Sequence, residues 1–112
     1  MAFKQALQYD TIRSLDTSTA SSYASLGSEL TYPTCIVKII NVSNKDLIIS
    51  VDGTNDVDYV PAGSFVLYDI TTNAVDNNIL FIPANRQYYA KTSDGAAGTG
   101  KVYLISLYTP TV

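Results

Sequence analysis

Apolar residues in this chain fall in short runs separated by Asn, Asp, Ser and Gly, the arrangement of brief strands joined by turns. The clearest run covers 35–42. Cys35, Val37 and Ile39 would share one face of a strand there, and Ile36 and Ile40 the other, so this strand is expected at the centre of a sheet. The polar stretch 41–46 reads as the turn of a hairpin whose second strand is 47–51. Asp52-Gly53 and Pro61-Ala62-Gly63 mark further turns, because Gly accepts positive φ and Pro fixes it. Strands are predicted over 65–70, 79–82 and 87–91, with a polar loop at 73–78 and a flexible, substitution-tolerant loop at 93–100. The last strand, 102–108, is apolar on both faces. The first third is weaker. Residues 6–15 could hold a strand with Leu7, Tyr9 and Ile12 facing inward, and 16–28 reads as a loop, a loosely held strand around Tyr23, or an extended arm. Strong strands at spacings of about ten residues predict an all-β fold, a two-sheet antiparallel β-sandwich or jelly-roll. One domain is expected over 1–112, with 1–30 as an arm or edge strands.

Composition sharpens this picture in two ways. Tyr, Thr, Val and Ile are plentiful and Glu occurs once, at Glu29, which favours strands over helices. Charged residues make up 15% of the chain, low against a usual share of about 25%. Part of so weakly charged a surface is a candidate for burial against a partner. The net charge of −3 argues against nucleic-acid binding, which needs a basic patch. No apolar run approaches the length of about 20 residues that spans a bilayer, and no apolar signal core follows Met1. We therefore expect neither a membrane nor a nucleic-acid partner. The single Cys35 cannot form an internal disulfide and reads as a small buried hydrophobe rather than a reactive thiol.

Candidate chemistry is sparse. The chain has no His, which removes the commonest general base and metal ligand. Gly95 to Lys101 matches G-x-x-x-x-G-K, but Val102 stands where a phosphate-binding loop needs Ser or Thr, and a strand follows instead of a helix. Asp52, Asp56 and Asp58, with Asn55, form an acidic cluster without the Gly and Glu positions of an EF-hand, and they read as a solvated turn. No catalytic residues, cofactor or metal ligands are assigned, and no enzymatic activity is expected.

The nine tyrosines are the most informative residues. Tyr88 and Tyr89 are adjacent and so point to opposite faces of a strand, one to the core and one outward; Tyr103 and Tyr108 also lie on opposite faces. Tyr88, Tyr89, Tyr103 and Tyr108 are the candidate interface residues, since Tyr is enriched in protein contacts. A sugar-stacking platform is an alternative use of the same rings, disfavoured by the absence of Trp.

Residues 39–44 with 48–56, and Val60-Pro61-Ala62-Gly63-Ser64-Phe65-Val66-Leu67-Tyr68-Asp69, resemble small virion proteins of tailed bacteriophages. The opening 6–14 and the closing 100–104 fit the same pattern. The resemblance implies a structural virion component assembled in the bacterial cytoplasm. Within that class it points to a head decoration (cement) protein contacting the major capsid protein or other virion proteins, and forming a homo-oligomer. A head–tail or tail component and a carbohydrate-binding module for host attachment are the alternatives. No site residues carry over from the resemblance.

Overall fold

The fold is taken from a computed structural model that describes residues 7–70 and 81–108. It is all-β. The strands are β1 (Gln8–Tyr9), β2 (Arg13–Asp16), β3 (Ala24–Ser25), β4 (Ile36–Asn41), β5 (Leu47–Ser50), β6 (Asp58–Val60), β7 (Phe65–Asp69), β8 (Tyr89–Thr92) and β9 (Lys101–Tyr108). Among the described residues they form two antiparallel sheets. One runs β1-β9-β4-β7, with β2 also paired to β9, and the other runs β3-β8-β5-β6.

The pairing has a simple logic. β2 pairs with β9, β3 with β8, β4 with β7 and β5 with β6, so the second half of the chain returns antiparallel beside the first. Successive pairs of this doubled ribbon alternate between the two sheets, which is the jelly-roll arrangement. The β4–β9 and β5–β8 ladders then close each sheet across the roll.

Each sheet turns one set of alternate residues inward. Val37 and Ile39 of β4 and Val102 and Leu104 of β9 meet Leu47, Ile49, Val60 and Ala90 of the other sheet in one core. Leu26 and Leu30, from the segment between β3 and β4, complete it, tied by backbone bonds to Tyr88 and Arg86.

Four expectations are corrected here. Residues 35–42 and 47–51 do not form a hairpin, because β4 and β5 lie in different sheets. Buried Asn41 decides this. Its Nδ2 donates to the carbonyls of Lys45 and Val60 at 2.7 and 2.9 Å, and its Oδ1 accepts from the Ser43 N–H and hydroxyl. That network bends 41–46 into a crossover between the sheets.

Leu7, Tyr9 and Ile12 point outward, and the buried residue of this segment is Arg13. Its guanidinium donates to the carbonyls of Thr11, Ser28 and Glu29 and pairs with Asp10 at 3.2 Å. These bonds hold the first strands against the 27–31 segment. Gly27 lies so close that a Cβ there would stand 2.5 Å from the Arg13 Cβ. Residues 8–9, 13–16 and 24–25 are thus edge strands of the roll.

The 93–100 loop is not loose. A Cβ on Gly98 would stand 2.8 Å from the Thr17 hydroxyl, and one on Gly100 2.7 Å from the Val42 carbonyl. Cys35 is half-buried rather than fully buried. The predicted loop 73–78, and residues 79 and 80 of the predicted strand, lie outside the described residues; Ile82 forms a bridge with Thr34.

Candidate interaction surface

The outer face of the β1/β2-β9-β4-β7 sheet follows from its register. Tyr9, Leu107 and Ile36 are direct neighbours across β1, β9 and β4, ending at Asp69 on β7. The next row is Ile105, Lys38 and Leu67, and the third is Tyr103, Ile40 and Phe65. Eight of these ten side chains are apolar or aromatic, where an open sheet face ordinarily alternates to polar. Phe65 and Leu67 are 53% and 52% exposed and Tyr9 75%. Four strand positions about 4.8 Å apart and five residues deep give a patch of roughly 300 Å² in projection. That matches the largest patch on a typical monomer, which is often functional.

Polar groups stand at the margins. Ser14 lies opposite Tyr103, and Asp16 opposite Lys101. Asp16 accepts the Ser18 N–H, which with Lys101 nearby keeps its carboxyl below the ordinary range. Lys38 alone brings charge into the middle, with its ammonium 4.8 Å from the centre of the Phe65 ring. No carboxylate among the described residues lies within ion-pair distance of it.

The outer face of the second sheet is built differently. Tyr59, Ile48 and Lys91 form one row across β6, β5 and β8, with Ser50, Tyr89 and Ser25 beyond. Here the polar groups are mutually engaged. Lys91 lies 4.5 Å over the Tyr23 ring and 3.5 Å from Asp56, which accepts the Tyr23 hydroxyl. Burial and the Asp56 carboxylate both push the Tyr23 phenol well above its ordinary pKa. Tyr59 donates to Asp46 at 2.7 Å.

The acidic cluster disperses. Asp52 caps its own turn, accepting the Thr54 and Asn55 N–H groups at 2.8 Å each and the Ser50 hydroxyl, and these donors hold its carboxyl well below the usual range. Asp56 serves Tyr23 and Lys91, and Asp58 accepts the Tyr68 hydroxyl. No group of three potential metal ligands occurs among the described residues.

A pocket of ≈ 390 Å³ is lined by Val51, Val57, Ile70 and Ile82, with Asp58, Tyr68, Arg86 and Tyr88. Burial and the Asp58 carboxylate raise the Tyr68 phenol well above its ordinary pKa, so it stays protonated. This lining suits an apolar group with one polar end.

Of the four predicted interface tyrosines, Tyr103 lies on the apolar outer face and Tyr89 on the outer face of the second sheet. Tyr88 is 6% exposed and belongs to the core, so it offers no docking surface. Tyr108 stacks on Tyr32 with ring centres 3.9 Å apart. Phe65, Leu67, Ile36, Ile40, Ile105 and Leu107 were not singled out from the sequence. The signal was there in the two-faced apolar pattern of 35–42 and 102–108, which reads equally well as a doubly buried strand.

No protein-family model matches this chain, and neither a curated protein nor a solved structure is significantly similar to it. Among the described residues, no helix is long and apolar enough to cross a membrane.

Proposed function

We propose that this chain is a non-enzymatic structural protein of a tailed-phage virion, a head decoration protein that docks through the outer face of the β1/β2-β9-β4-β7 sheet. One observation carries the reading. A small jelly roll leaves an apolar sheet face partly exposed, most fully at Tyr9, Phe65 and Leu67, while its other face is laced with internal polar bonds. The phage-like stretches 39–44 and 60–69 add support, because they contain half of β4 and all of β7, two strands that build that face.

A decoration protein needs adhesion rather than chemistry. The open face is smaller than the roughly 800 Å² that each partner contributes to a standard interface. Attachment therefore draws on rim contacts and on many copies, linked into homo-oligomers, on a repetitive shell, where multivalency multiplies modest affinities. The sugar-platform reading has less support. The Tyr23 and Tyr59 hydroxyls are committed to Asp56 and Asp46.

Quantitative mass spectrometry of extensively washed particles tests the proposal. The chain should be present in many copies per particle, and immuno-electron microscopy should place it on the head. Its absence from washed particles would refute the proposal, and labelling confined to the tail would reassign it to a tail component.

A further inference from the structure

Lys38 sits at the middle of the apolar face, between Ile105 and Leu67 in its row and between Ile36 and Ile40 along β4. Its charge has the Phe65 ring beside it but no carboxylate within ion-pair distance among the described residues. A cation over an exposed ring is held only weakly. Burying an unpaired ammonium costs far more than that contact returns. A purely apolar cover would therefore leave this charge stranded, and a surface that brings an anionic group covers the face most favourably.

We infer that the partner is a second virion protein presenting a flat apolar patch with an aspartate or glutamate opposite Lys38. This rests on the docking role proposed above and names the chemistry of its partner. A second copy of the chain fits less well. A two-fold pairing centred on the face sets Lys38 against its own copy, and like charges facing each other across an interface oppose association. The carboxylate on the same face, Asp69, already has an interaction of its own. Both copies would also carry a net charge of −3.

Zero-length carbodiimide coupling on washed particles tests this directly, because it joins an amine to a carboxylate only when they touch. The expected product is an amide between Lys38 and an Asp or Glu of a different virion protein, identified by peptide mass spectrometry. Lys38→Arg keeps the charge but cannot couple in this way, so it should retain particle occupancy and lose the cross-link. Lys38→Glu should lower occupancy about tenfold or more, with an unchanged circular-dichroism spectrum and melting temperature. Loaded particles in which Lys38 does not couple, or couples to a second copy of this chain, would overturn the inference while leaving the virion role intact. So would wild-type occupancy by the Lys38→Glu protein. Washed particles without the chain would overturn both.

Discussion

The two outer faces of this jelly roll come from the same kinds of residue, yet they differ in what those residues do. On the β3-β8-β5-β6 sheet, Tyr23, Tyr59, Lys91, Asp46 and Asp56 satisfy one another. On the β1/β2-β9-β4-β7 sheet, Tyr103, Ile105, Leu107, Ile36, Ile40, Phe65 and Leu67 stand side by side around a lysine with no carboxylate within ion-pair distance among the described residues. One face is finished by its own hydrogen bonds, and the other is mostly apolar side chains with few polar bonds among the described residues. Exposed apolar area of this kind, with polar groups at its margins, is how docking surfaces are built.

Substitutions can break or sharpen this contrast. The largest effects should come from what both sheets share. Ile39→Ala removes a fully buried side chain from the common core and should cost about 2–5 kcal/mol by leaving a cavity. Denaturant unfolding measures it, and a loss under about 1 kcal/mol would misplace the core. Asn41→Ala should follow at about 2–3 kcal/mol, because the carbonyls of Lys45 and Val60 lose their buried donor.

The next pair separates the faces. Leu67→Asp on the open face should change stability by less than about 0.5 kcal/mol, yet weaken particle binding about tenfold or more. Tyr59→Ser on the other face should leave binding unchanged. Equal effects of the two on binding would erase the distinction.

The mildest prediction concerns acid. The Ala62 N–H and the Tyr59 hydroxyl lower the pKa of Asp46, and the Tyr23 hydroxyl, with Lys91, lowers that of Asp56. A carboxyl lowered on folding stabilises the native state above its unfolded pKa and ceases to do so as pH falls through the folded one. The 46–62 region should therefore be fully stable above pH 3.8 and loosen below it, as rising amide exchange there would report. Earlier loosening of β4 and β7 would contradict the division of polar bonds between the faces.

How much of this could be read in advance depended on whether local pattern or distant contact decides each element. The alternation of 36–41 and 101–108 encodes strands whatever surrounds them, and their double apolar character correctly placed β4 between two neighbours. The crossover at 41–46 looked like a turn because Asn and Ser favour turns; only the bonds from Asn41 to Lys45 and Val60 send the chain to the other sheet. Arg13 went unnoticed because a lone arginine carries no periodic signal, and its burial rests on carbonyls 15 and 16 residues away. The same ambiguity hid the open face. Apolar residues on both sides of a strand mean either a covered sheet or one awaiting a partner.

Hydroxyl-radical footprinting of the particle-bound chain against the free chain tests the central claim most directly. Phe65, Leu67, Tyr103 and Leu107 should become protected on the particle, while Tyr59, Tyr89 and Ile48 keep their reactivity. Protection of the second set with the first left reactive would contradict the account.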